Sequence, residues 1–115
     1  QALYGADLEV VVRAYLSPEH RDLAGTGCPV ASLASEVARH PRATRSAFAS
    51  HNAPTLDVLA ARLSSRRGKE VTRADAAALL GLLAGTLQLA RATPDRAESD
   101  AILEAGVRAA IRLAS

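Results

Sequence analysis

The residues best suited to chemistry in this chain are three histidines and a single cysteine. His20, His40 and His51 lie far apart in the sequence, and no Gly-x-Ser-x-Gly nucleophile motif accompanies them. The carboxylates fall at predicted caps, loops and polar helix faces, and no P-loop or dinucleotide-binding glycine pattern occurs. One cysteine without a close histidine pair lacks the spacing of a zinc site. We therefore predict no catalytic residue, no metal site and no cofactor, and expect that the protein is not an enzyme.

Cys28 is the single cysteine of the sequence, and cysteine is a residue type whose thiolate is reactive. It precedes Pro29 at the predicted start of a short helix, where free backbone N–H groups and the helix dipole stabilise a thiolate. A buried cysteine otherwise behaves as a small apolar side chain. Both interpretations stay open, a thiol sensor and a core residue.

Several polar and aromatic side chains lie on otherwise apolar predicted helices, some of them close to Pro54. A proline inside a helix kinks it and leaves a carbonyl without its donor, and polar atoms in a core need partners. These side chains either bond one another or water, or they line a cavity. We predict a mainly apolar pocket between the first, third and fourth predicted helices, with the candidate ligand-binding residues Tyr15, Phe48, His51, Asn52, Thr55 and Thr86.

The composition indicates an all-α fold. The chain has 26 alanines and 16 leucines, which are strong helix formers. Apolar spacing predicts five helices, about residues 2–16, 29–39, 41–66, a fourth that Thr72 caps and that contains residues 76–90, and 95–114. A polar loop is expected over residues 18–27.

The fourth predicted helix carries no charge over residues 76–90. A helix that is apolar all round is buried on all sides, and five helices of this size do not supply that cover alone. Gly81, Ala84 and Gly85 would let another helix approach closely. We therefore predict a homodimer built on the last two helices, with the interface residues Leu79, Leu83, Leu87, Leu103, Val107 and Ala110.

Length and charge bound the class of protein. The 115 residues suit one domain, residues 1–115, and a net charge of +2 spread along the chain is no nucleic-acid footprint. The sequence contains neither an apolar run long enough to span a membrane nor a signal peptide, so we expect a soluble, cytoplasmic protein without a membrane partner. The chain begins at Gln1 and contains no methionine, from which we expect a missing N-terminal part.

Two stretches carry a resemblance to a known family. The sequence VVRAYLSPEHRDLAGTGCPVASLASEVARHPRATRSAF, Val11 to Phe48, resembles the ligand-binding domain of bacterial tetracycline-repressor (TetR) family regulators, in the branch with a Gly-Cys-(Pro/Leu) motif before a short A-x-L-x-x-E-V helix. The stretch from Ala76 to Ile111 resembles the last two helices of that family. Together they cover nearly the whole chain.

The resemblance implies both architecture and function. It implies a five-helix ligand-binding domain whose last two helices form a four-helix dimer interface with a second copy. It also implies an N-terminal helix-turn-helix domain, absent from these residues, that binds operator DNA. A small-molecule effector would then bind the helical domain and release the DNA, which requires that it prefer one state of the dimer. Some relatives with Gly-Cys at this place respond to electrophiles or oxidants, and Cys28 matches that position.

Three alternatives remain open beside a non-covalent effector domain. One is a thiol-based electrophile or redox sensor of the same family, through Cys28. Another is a stand-alone helical enzyme or carrier domain, which needs an acid/base or nucleophile pair converging in a pocket. The last is a purely structural dimerisation module, which a cavity of several hundred Å³ would count against.

Overall fold

A computed structural model describes residues 7–23 and 29–115 of the chain, apart from the side chains of residues 29–32. Within these ranges the chain is all-helical, as predicted, and contains no strand. The helices are α1 (Leu8–Tyr15), α2 (Pro18–Asp22), α3 (Pro29–Val37), α4 (Arg42–Arg67), α5 (Arg73–Ala92) and α6 (Arg96–Ala114).

The segment between α1 and α3 differs from the prediction. It was expected to be a polar loop, yet residues 18–22 form the short helix α2. Ser17 begins this helix, because its hydroxyl accepts a hydrogen bond from the His20 backbone N–H at 3.1 Å. Pro18 occupies the first helical position, where its missing N–H costs nothing. One helical turn therefore forms where the polar composition alone indicated a loop.

Local capping fixes the ends of the longer helices. Thr72 and Asp75 form a reciprocal capping box at the start of α5, which confirms the predicted cap. Asp95 caps α6 by accepting a hydrogen bond from the Glu98 N–H, and Thr93 ends α5. Gly68 ends α4 with a left-handed φ of 72°, a conformation that glycine adopts without steric cost.

The core lies between α5 and α6, with α1 and α4 packed against them. Ser99 bonds Ala90, and Gly106 lies against Thr86, so α5 and α6 run antiparallel. A Cβ at Gly106 would overlap the Thr86 methyl and approach a Leu16 methyl to 3.0 Å. The absence of a side chain at Gly106 therefore sets how closely the two helices pack.

Helix α5 is not buried on all sides within one chain. Its inner face is fully covered, but Ala77, Ala78, Gly81 and Gly85 are exposed, and Leu89 keeps 64% of its surface. The uncharged run therefore has one core face and one open face. No helix among the described residues combines the length and apolarity needed to cross a membrane.

Candidate functional site

A mainly apolar hollow of about 350 Å³ lies between α4 and α5. From α4 it is lined by Phe48, Ala49, Asn52, Ala53 and Leu56, and from α5 by Arg73, Ala77, Leu80 and Gly81. The volume lies at the lower end of the range for small-molecule sites. Small residues on both helices create the space, since alanine and glycine leave the gap between the backbones unfilled.

Asn52 is the polar group of this hollow that is most strongly buried. Its side chain is 8% exposed, and its Nδ2 donates to the Phe48 carbonyl at 3.0 Å. No group in the described part of the chain donates a hydrogen bond to its Oδ1. The amide orientation thus leaves an acceptor beside an apolar wall, suited to a ligand with one hydrogen-bond donor.

An ion pair lies beside the hollow. Arg73 donates from Nε and Nη2 to the two carboxylate oxygens of Asp57, at 2.9 and 3.1 Å, and both side chains are exposed. This bidentate contact joins the first turn of α5 to the middle of α4 and holds one side of the hollow in place.

The structure brings together only two of the predicted ligand-binding residues. Phe48 and Asn52 line the hollow, because they lie four residues apart on one face of α4. His51 and Thr55 are exposed, which corrects the expectation that they face inward. Each precedes an inward-facing residue by one position, and one position turns a helix by about 100°.

Tyr15 and Thr86 lie outside this hollow, and α1 contributes nothing to its lining. Tyr15 packs against the core from α1 and meets the His20 ring edge-on, with centroids 4.8 Å apart. Thr86 contacts Gly106 in the α5–α6 packing. This corrects the expected position of the pocket. The observed hollow lies between the third and fourth predicted helices, and the first predicted helix takes no part in it.

The predicted dimer-interface residues are core residues of a single chain. Each is at most 3% exposed without any partner present, and the set is Leu79, Leu83, Leu87, Leu103, Val107 and Ala110. Their apolar side chains pack between α5, α6 and the helices that cover them. This corrects the assignment, since a second copy would have to use other residues. The homodimer itself stays a prediction.

Cys28 lies outside the described residues, so the thiol-sensor hypothesis also stays a prediction. The histidines that could serve catalysis have local partners instead. His20 Nδ1 lies 2.6 Å from the Tyr15 carbonyl oxygen, and His40 Nε2 lies 3.4 Å from a Glu36 carboxylate oxygen. Within residues 7–23 and 29–115, no group of three or more metal-binding side chains gathers.

Two structurally important residues were missed in the sequence. Arg21 is buried at 4% exposure although it lies in the segment predicted as a loop, and no sequence signal marks an arginine for burial. Gly106 stands inside a predicted helix, where an isolated glycine is itself a signal of close packing. That signal was available but was assigned to Gly81 and Gly85, which have open space around them.

The chain was compared with protein-family models, curated proteins and solved structures. No family model, curated protein or solved structure matches it. The tetracycline-repressor resemblance therefore stays a prediction carried by the sequence motifs.

Proposed function

We propose that the chain is the effector-binding and dimerisation domain of a bacterial transcriptional repressor of the tetracycline-repressor family. The observation that carries the proposal is the apolar hollow between α4 and α5, with the buried Asn52 amide in its wall. The Gly27-Cys28-Pro29 motif and the all-helical fold also support it.

The proposed effector is a small, largely apolar molecule with one hydrogen-bond donor. Its apolar part would contact Phe48, Leu56 and Leu80, and its donor would meet Asn52 Oδ1. The burial of apolar surface supplies most of the affinity, and the amide fixes the orientation. A ligand of this kind would bridge α4 to α5, and so link the hollow to the helix proposed for dimer contact.

The proposed second copy packs on the open face of α5. An apolar stripe runs along this face with spacings of four, three and four residues, which is typical of the contact face between packed helices. It consists of Ala78, Leu82, Gly85 and Leu89. The stripe is apolar and includes the most exposed leucine of the described chain. The operator would be bound by the family's N-terminal helix-turn-helix domain, which these 115 residues do not include.

Nuclear magnetic resonance titration with indole tests the effector site, because indole is apolar and carries one N–H donor. We expect saturable shifts of backbone amide signals over residues 48–56 and 77–81, and weaker binding of N-methylindole, which lacks the donor. Ala53→Leu should abolish the shifts by filling the hollow, while the exposed Ala61→Leu on the same helix should retain them. Shifts absent at these residues, or equal in Ala53→Leu, would refute the proposed site.

A further inference from the structure

Arg21 is a buried cation with one guanidinium nitrogen left without an acceptor in the described part of the chain. From α2 its Nη1 donates to Ser99 Oγ at 2.9 Å and to Asp100 Oδ1 at 2.6 Å, and its Nε donates to Asp22 Oδ1 at 3.1 Å. Its Nη2 is buried and has no hydrogen-bond partner within the described part of the chain. Buried donors in folded proteins are nearly always paired, so we expect this nitrogen to donate to an acceptor that does not belong to the described chain.

Arg21 belongs to the wall of a second hollow, of about 300 Å³. The hollow lies where α2 meets the end of α5 and the start of α6, and its lining comprises Arg21, Asp22, Ala90, Arg91, Thr93, Pro94, Arg96 and Ser99. Along α5 it is about ten residues from the Asn52 hollow, or roughly 15 Å. The two are separate sites.

Three arginines converge on this second hollow. Arg91 donates from Nε to the Arg21 carbonyl at 3.1 Å and from Nη2 to the His20 carbonyl at 3.0 Å, so its charge meets only backbone oxygens among the described residues. Arg96 makes a two-fold contact with Asp22, at 3.2 and 3.3 Å. Each guanidinium is held in a fixed orientation by these bonds.

The arginines of the hollow outnumber the carboxylates that pair with them. Arg21, Arg91 and Arg96 carry three positive charges, and their ion-pair partners Asp22 and Asp100 carry two negative charges, so this group of five side chains has an excess of one positive charge. Guanidinium groups stay protonated at any physiological pH. The excess positive charge is therefore permanent, and it adjoins a cavity large enough for a small molecule.

We propose that this hollow binds an oxyanion, the carboxylate or phosphate group of a small molecule, through Arg21, Arg91 and Arg96. The planar fork of arginine N–H donors matches both groups. The anion would accept from the Nη2 of Arg21 after a small rearrangement and would neutralise the excess charge. The site is independent of the effector proposal, since it shares no lining residue with the Asn52 hollow.

The test is a nuclear magnetic resonance titration of the 115-residue chain with sodium phosphate and, in a second arm, sodium acetate, each against sodium chloride at equal ionic strength. We expect saturable shifts of the arginine Nε–H signals of Arg21 and Arg96 and of the Ser99 amide in at least one arm. The tighter arm identifies phosphate or carboxylate as the group preferred. Shifts that match those in chloride in both arms would overturn the proposal.

Variants show whether the arginines are responsible. Arg96→Gln is expected to raise the dissociation constant about threefold, a modest effect because that side chain is exposed. Arg21→Lys keeps the positive charge but removes Nη2, and we expect it to raise the dissociation constant about tenfold. Arg108→Gln is the control, an exposed α6 arginine outside this hollow. If Arg21→Lys does not fold, the comparison of Arg96→Gln with Arg108→Gln still tests the site. Equal dissociation constants of these two variants for the anion would refute it.

Discussion

Individual polar side chains join the helices of this chain to one another through buried hydrogen bonds. Ser99 is 2% exposed, donates to the Ala90 carbonyl at 2.7 Å and accepts from Arg21. It thus connects α6 to the last turns of α5 and to α2. Both bonds of the Ser99 hydroxyl are made within the chain, so the hydroxyl itself stabilises the packing of these three helices.

Replacing Ser99 by alanine should lower the free energy of unfolding by about 1–2 kcal/mol, because two hydrogen bonds of a buried hydroxyl are lost. The better helix propensity of alanine offsets a few tenths of that. Chemical denaturation followed by circular dichroism measures the difference. Ser65→Ala is the control, as Ser65 is an exposed serine of α4, and it should stay within about 0.5 kcal/mol of the parent. Equal stabilities of the two variants would contradict the role given to Ser99.

Gly106→Ala is expected to destabilise the protein by about 1–3 kcal/mol, since the added methyl group overlaps Thr86 and crowds Leu16. Both branches of Thr86, its Cγ2 methyl and its Oγ1, lie against the added group, so exchanging them by rotation about χ1 does not remove the overlap. Gly81→Ala has open space and should instead stabilise by roughly 0.5–1 kcal/mol through helix propensity. Thermal unfolding of both variants checks the contrast. A melting temperature of Gly106→Ala at or above that of the parent would show that α5 and α6 can separate at no cost.

At the scale of elements, the short helix α2 depends on ionic contacts to α5 and α6. Arg91 of α5 binds its carbonyl end, Arg96 of α6 binds Asp22, and Arg21 binds Asp100 of α6. Five residues are too few to form a stable helix alone, because helix nucleation is unfavourable. The contacts from neighbouring helices therefore determine that residues 18–22 are helical.

These contacts predict that the stability of the fold depends on pH through the titration of Asp22. Hydrogen bonds from Arg21 and then Arg96 hold the pKa of Asp22 below its ordinary value of 3.8. The folded state therefore takes up this proton less readily than the unfolded chain. The stabilisation is complete above the ordinary pKa and is lost as the pH falls through the lower folded-state value.

Asp22→Asn should accordingly be less stable than the parent near neutral pH, and its stability should fall less between about pH 7 and about pH 3. Urea denaturation at a series of pH values measures this slope. Glu70→Gln, an exposed carboxylate without an ion pair in the described ranges, serves as control and should keep the parent's slope. If Asp22→Asn and the parent lose stability in parallel, the ion pairs contribute nothing to the acid response.

At the scale of the whole molecule, α5 separates two environments. Its inner face, with Leu79, Leu83 and Leu87, is the centre of the core, while its outer stripe, with Gly85 and Leu89, is open to solvent in the single chain. A charge placed on either face has a different consequence. The two faces therefore allow folding and dimerisation to be tested apart.

Leu89→Arg should leave the helical circular dichroism spectrum intact and convert a dimer into a monomer, because a charge in the proposed apolar seam is costly to bury. Leu83→Arg should unfold the chain, since Leu83 is 1% exposed within it. Sedimentation velocity at micromolar concentration measures the mass of each. Ala61→Arg, on the exposed side of α4, is the control and should remain dimeric. A parent protein that sediments as a monomer would refute the dimer, and a dimeric Leu89→Arg would refute this seam.

The sequence by itself determined the helices and most of their ends. Alanine and leucine content, the 3.6-residue spacing of apolar side chains and the Thr72–Asp75 cap are local properties, which need no knowledge of the rest of the chain. Phe48 and Asn52 were likewise predicted as ligand-binding residues from their polar or aromatic side chains near Pro54, and both line the hollow.

Only the tertiary structure decided which faces meet. An uncharged helix does not reveal which of its leucines pack within the chain, so Leu83 and Leu87 were assigned to an interface although they lie in the core. A one-residue rotation separates Asn52 in the wall of the hollow from His51 in solvent, and apolar patterning is too coarse to resolve it. The burial of Arg21 depends on Ser99 and Asp100, nearly 80 residues further along the chain. Local sequence carries no information on such a contact, because it forms only when α2 is packed against α6.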